Sequence, residues 1–95
     1  MPAGDRHVAP EKRAFARTLA ELRRERGLTQ EALAFDSGYH PKYISLLERG
    51  LYSPSLTTIL EFSQVLDISA SDLVARVEKM LPSSRKRRRD VRTNR

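Results

Sequence analysis

The sequence predicts a compact all-α domain of five short helices, and three observations carry that prediction. Apolar residues recur at spacings of three and four in five separate stretches, Gly, Pro, Ser and Thr stand at the breaks between them, and no stretch alternates as a strand would. The chain has 95 residues, of which 39 % are hydrophobic and 32 % charged. That is enough for one modest core and too little for two.

Met1 to Pro10 contains Pro and Gly without periodicity and reads as a loose arm, residues 1–10. From about Glu11 to Arg26, Phe15, Leu19 and Leu22 form an apolar stripe among Arg13, Arg17, Glu21, Arg24 and Glu25, and Gly27 is placed to end the helix. Thr29 is an N-cap for a second helix through Leu33 and Ala34 to about Asp36. Ser37-Gly38-Tyr39 then breaks the chain, with Gly38 suited to the left-handed backbone of a tight turn. A third helix is predicted from about Pro41 to about Glu48, because proline suits the first helical position and Gly50 stops the run.

Leu51-Tyr52-Ser53 is a loop. Leu56, Ile59, Leu60, Phe62 and Leu66 predict a buried fourth helix, for which Ser53 and Ser55 both qualify as cap. The last helix starts at Ser69, with Asp72 in a capping-box-like position, and runs through Leu73, Val74, Val77, Met80 and Leu81 until Pro82-Ser83-Ser84. The domain is thus expected over residues 11–81, followed by a basic, disordered tail, residues 82–95.

Several function classes drop out. There are no cysteines, and only His7 and His40 are soft metal ligands, so neither a disulfide scaffold nor a metal site is expected, and no cofactor. No apolar run reaches membrane length and no secretory signal is visible, which predicts a cytoplasmic protein. Without a nucleophile–base set, a phosphate-binding glycine loop or a paired-carboxylate pocket, an enzyme is not expected.

Charge points to an anionic partner. The net charge is +6, and residues 82–95 account for all of it with seven basic residues and one acidic. Residues 1–81 are neutral but polarised: the first fifty hold nine basic and seven acidic residues, whereas 51–81 hold two and four.

Helices two and three, joined by three or four residues, have the geometry of a helix-turn-helix, whose second helix projects into a DNA groove. Ala34 falls where two crossing helices leave no room, Gly38 falls in the turn, and Ile44 and Leu47 point to the core. With Thr29-Gln30 ahead, Tyr43-Ile44-Ser45-Leu46-Leu47-Glu48-Arg49-Gly50 and then Ser53-Pro54-Ser55-Leu56 resemble the XRE-type, phage-repressor-like helix-turn-helix regulators, over about Phe15 to Val77.

The resemblance implies a sequence-specific regulator of transcription that binds double-stranded DNA, a dimeric repressor or autoregulator at a near-palindromic operator. It implies base contacts from His40, Pro41, Lys42 and Leu46, and phosphate contacts from Thr29, Gln30, Tyr43, Arg49 and Tyr52 or Ser53. It also implies an ion pair between Arg23 and Glu48. Pro41 departs from the family, since it stands where a polar base reader is common and has no N–H to donate; this shifts base reading onto His40 and Lys42. Tyr43 has two readings, phosphate contact or packing on helix two.

One groove-facing helix makes few contacts, and the family answers with a two-fold dimer on half-sites about 10 base pairs apart. Leu73, Val74, Val77, Met80 and Leu81 exceed one packing stripe and are the expected dimer surface, the alternative being that they close the monomer core. Two other readings stay open: an antitoxin or anti-repressor holding a protein partner through the basic tail, and a restriction-modification controller protein.

Overall fold

A computed structural model describes residues 9–82, and within them the chain forms five α-helices and no strand. These are α1 (Pro10–Glu25), α2 (Gln30–Ser37), α3 (Pro41–Glu48), α4 (Leu56–Val65) and α5 (Ala70–Lys79). Pro10 belongs to α1 rather than to the arm, because the ring holds φ near its helical value and the missing N–H would have no partner in the first turn. Residues 1–8 of the proposed arm, and the tail from Ser83 onward, lie outside the described residues.

Helix starts follow side-chain chemistry. Thr29, Ser55 and Ser69 each accept the backbone N–H three residues on, at 3.0–3.1 Å. This decides the α4 cap in favour of Ser55 over Ser53. The box at α5 is half formed, because Asp72 contributes its N–H but no reciprocal bond to Ser69.

Four of the helices share one ending. After each comes a residue with positive φ, namely Gly27, Gly38, Gly50 and Asp67. The following N–H reaches back five residues, as in Leu28 to the Arg23 carbonyl and Tyr39 to the Ala34 carbonyl, at 3.0 and 2.9 Å. Gly38 matters most, because it sets the direction in which the chain leaves α2 for α3.

Phe15, Leu19 and Leu22 of α1, Leu33 and Ala34 of α2, Ile44 and Leu47 of α3, Phe62 and Leu66 at α4, and Leu73 of α5 form one core. α3 packs on α1 and α2, α4 on α2 and α5, and α5 returns to α1. An eight-residue helix cannot hold itself together in water, so α3 exists because Ile44 and Leu47, both fully buried, dock it.

Three expectations need correction. Leu56 and Leu60 are not buried; they remain 70 % and 47 % exposed, because α4 turns only its Thr58, Phe62 and Ser63 side fully inward. Leu73 is wholly buried and is core, not a surface for a partner. α5 also stops at Lys79; Met80 is its C-cap, with the Thr18 hydroxyl 3.7 Å from the Met80 sulfur, and Leu81 lies beyond the helix, half-buried. No helix among the described residues is long and apolar enough to cross a membrane.

Candidate nucleic-acid interface

With Ile44 and Leu47 turned inward, the opposite side of α3 carries Lys42, Ser45, Leu46 and, at the C-cap, Arg49, spaced at three, four and seven. Lys42 and Arg49 are exposed, Ser45 and Leu46 half-buried. Lys42, Ser45 and Arg49 have no side-chain partner among the described residues, so their donors are free for a ligand. Ser45 escaped the reading from sequence, although its three-residue spacing from Lys42 was the available signal.

The front of α3 is built by an unusual cap. His40 is exposed, and its Nδ1 accepts the Lys42 N–H at 3.0 Å. An accepting Nδ1 carries no proton, so the neutral ring holds its hydrogen on Nε2, where it is a donor. The cap thus does the task that serine or threonine does elsewhere and leaves a second polar group at the helix entrance. Pro41 beside it is half-buried and supplies shape only.

Behind this face lies a hub centred on Glu48. Arg23 Nε donates to Glu48 Oε2 at 2.7 Å and its terminal nitrogen to Oε1 at 3.0 Å, while Gln30 Nε2 donates to the same Oε1 at 3.0 Å. The remaining guanidinium nitrogen reaches the Leu28 carbonyl at 2.8 Å. Hydrogen bonding to Glu48 raises the Arg23 pKa above its already high ordinary value, so the pair stays ionised. The carboxylate therefore ties α1, the start of α2 and the end of α3 together. Gln30 spends one N–H on it and keeps its second N–H, at the α2 N-terminus where unpartnered backbone N–H groups favour anions. Thr29, exposed beside it, accepts from Ala32 and keeps its own hydroxyl hydrogen.

An aromatic row runs from the core to this surface. Phe62, Tyr39, Tyr43 and Tyr52 follow one another with ring centroids 5.6, 5.0 and 6.2 Å apart. Tyr43 is half-buried within the row, which satisfies its packing, while Tyr52 and Ser53 are exposed in the loop after α3.

Tyr39 also anchors the turn. Its hydroxyl donates to Glu61 and meets Thr58 Oγ1 at 3.0 Å, and Thr58 Oγ1 meets Ser55 Oγ at 3.0 Å. Because Tyr39 has one hydrogen and gives it to the carboxylate, the chain of donation runs Ser55 to Thr58 to Tyr39 to Glu61. The Glu61 contact raises the Tyr39 pKa above its ordinary value. A raised folded-state pKa means a contribution that is whole below about pH 10 and lost as pH climbs through the folded value. Glu61→Gln is therefore expected to lower the Tyr39 titration toward that of free tyrosine. Tyrosinate absorbance in a Tyr43→Phe, Tyr52→Phe background reads it; an unmoved midpoint refutes the contact.

No three His, Cys, Asp or Glu among the described residues are grouped so as to hold a metal ion. What the surface offers is a short helix with two free cations and two free hydrogen-bonding groups, flanked by a helix N-terminus. Residues 19–73 match the HTH_3 helix-turn-helix family model. The chain belongs to this helix-turn-helix family.

It is an XRE-type, DNA-binding regulator of transcription. An uncharacterized HTH-type transcriptional regulator, y4dJ of Sinorhizobium fredii, is 47 % identical over 55 residues, covering 58 % of this chain and 71 % of that one. Among solved structures, the restriction-modification controller protein C.AhdI of Aeromonas hydrophila is 40 % identical with a TM-score of 0.66, over 68 % of this chain and 98 % of that one. The clp gene regulator ClgR of Corynebacterium glutamicum is 26 % identical with a TM-score of 0.71, over 76 % and 92 %. The match to this HTH_3 regulator family spans all of α2, α3 and α4, and with them the hub and the exposed α3 face.

Proposed function

We propose that this HTH_3 regulator binds a near-palindromic operator as a two-fold pair, with α3 of each copy in the major groove. The observation that carries this reading is the outward stripe of α3, whose polar groups have no side-chain partner among the described residues while its inward residues are wholly buried.

In this reading Lys42 donates to guanine O6 or N7, Ser45 and the His40 Nε2 hydrogen bond to neighbouring base edges, and Leu46 lies against a thymine methyl. Pro41 fits against the groove wall without a hydrogen bond. Gln30, Thr29, Arg49, Tyr43 and the Tyr52–Ser53 loop hold phosphates on either side and set the register. The Glu48 hub holds Gln30 in place before DNA arrives.

The roles separate experimentally. After selection of bound duplexes from a random pool, Lys42→Ala is expected to cost about 1–3 kcal/mol and to relax preference at one base position. Arg49→Ala is expected to weaken all duplexes similarly and to reduce the salt slope by about 1. Equal affinity for every duplex at physiological salt would sink the reading.

One subclass has a specific observation behind it. C.AhdI is matched over nearly its whole length at 40 % identity, which favours a controller-type regulator. The alternative of an antitoxin or anti-repressor working through the basic tail rests on residues outside those described.

A further inference from the structure

We propose that His40 is a base reader of fixed polarity: with its Nδ1 committed to capping α3 it can only donate, and together with Lys42 it makes the entrance of α3 selective for base edges that only accept, guanine above all. This rests on the operator-binding reading above and gives that reading a base preference.

The entrance of α3 is built unlike the other capped starts. Thr29, Ser55 and Ser69 hold the N–H three residues on with a short hydroxyl that stays beside the backbone. His40 enters its helix with the same extended backbone, φ −78° and ψ 142°, but its ring holds the N–H two residues on. The two nitrogens of an imidazole point in different directions, so with Nδ1 turned to the Lys42 N–H, Nε2 is directed away from that bond. His40 is exposed, and its Nε2 has no partner among the described residues.

The rest of the entrance leaves base reading to side chains that donate. Its backbone donors are spent: Pro41 has none, the Lys42 N–H is on the His40 ring, and the Tyr43 and Ile44 N–H groups return to the His40 carbonyl at 2.9 and 3.4 Å. α3 has no acidic residue in its first turn. The Lys42 ammonium is exposed, unpaired among the described residues, and carries donors only. The polar side chains at the entrance are therefore two donors and no acceptor.

In the major groove guanine shows two acceptors, N7 and O6, and no donor. Adenine and cytosine each place an amino group there, and thymine has one acceptor beside its methyl. A donor-only edge matches guanine and meets an N–H of its own kind at cytosine. The cap sharpens this choice. A histidine with no committed nitrogen can take either tautomer and so accept from cytosine as well as donate to guanine. For His40 to accept through Nε2, the proton would have to move to Nδ1, which would give up the cap and leave the Lys42 N–H without its partner. A serine or threonine cap imposes no such polarity, because a hydroxyl both donates and accepts.

Selection of bound duplexes from a random pool, run in parallel with wild-type full chain, Lys42→Ala and His40→Ser, tests the assignment. Wild-type protein is expected to enrich guanine at a position neighbouring the one that Lys42→Ala relaxes, and cytosine there should weaken binding about tenfold. His40→Ser keeps a capping oxygen but not the distant donor, so it is expected to melt no lower than wild type and to lose the preference at that one position. Removing the acceptor from the base, N7 in 7-deazaguanine or O6 in 2-aminopurine, should weaken wild-type binding with at least one of the two and leave His40→Ser indifferent to both. Nitrogen-15 shifts of the His40 ring in the free protein, assigned by their absence in His40→Ser, read the tautomer directly and are expected to show the proton on Nε2. A proton on Nδ1, a base profile that His40→Ser leaves unchanged, or adenine or cytosine enriched at the position it relaxes would each overturn the proposal. If Lys42→Ala relaxes a position and His40→Ser none, operator binding stands and this assignment alone fails; if no duplex is enriched, both fail.

Discussion

Glu48→Ala is expected to destabilise the domain by about 3–5 kcal/mol, a large share of the roughly 5–15 kcal/mol that holds a domain folded. The side chains of Arg23 and Glu48 are only 11 % and 6 % exposed. Removing the carboxylate leaves the guanidinium with its Leu28 carbonyl contact and strips Gln30 of its acceptor. Most of the cost comes from the orphaned charge rather than from the loss of an attraction.

Two companions separate these effects. Glu48→Gln keeps an oxygen acceptor and should lose less than the alanine variant. Arg23→Met combined with Glu48→Leu removes both charges and should recover much of the stability, yet should still weaken DNA binding because Gln30 is no longer held. Urea denaturation followed by circular dichroism measures all three; a loss below about 1 kcal/mol for Glu48→Ala would show that water replaces the partner.

Phe62→Ala is expected to cost a further and independent 3–5 kcal/mol, roughly, through a cavity under the helix-turn-helix. Phe62 is wholly buried and stands edge-on to Tyr39 with centroids 5.6 Å apart and planes at 66°. Its removal takes the floor from the turn that aims α3 as well as apolar area from the core. At four to eight degrees or so of melting temperature per kcal/mol for a domain of this size, the variant should melt at least about 12 °C lower. Gln64→Ala, two residues further on and facing solvent, is the control and should change stability by no more than about 0.5 kcal/mol. Equal melting temperatures for the two variants would mean that the core collapses to fill the space.

Helix starts and stops were legible because their causes are local. A threonine or serine oxygen finds an N–H three residues away whatever the rest of the chain does, and a residue such as Gly38 reverses the backbone where a side chain would resist. The family resemblance rested on that same local grammar. Ser45 was missed because a small hydroxyl has no sequence signal of its own; only the face it shares with Lys42 and Arg49 distinguishes it.

Burial was not legible in the same way. Periodicity says that Leu56, Leu60 and Leu73 lie on helical stripes, but a stripe is buried only if another element covers it. α1 and α4 close over Leu73, while nothing described in the chain closes over Leu56 and Leu60, so equal apolar residues came to opposite ends.

The sequence by itself determined five helices, the Thr29 and Ser69 caps, and a helix-turn-helix whose second helix turns Ile44 and Leu47 inward. Only the tertiary structure decided that Glu48 would serve Arg23 and Gln30 at once, and which leucines would be left outside. Those outcomes depend on residues 18 and 25 positions apart in the chain meeting in space. No local preference specifies such a meeting; it follows from how the helices pack to exclude water.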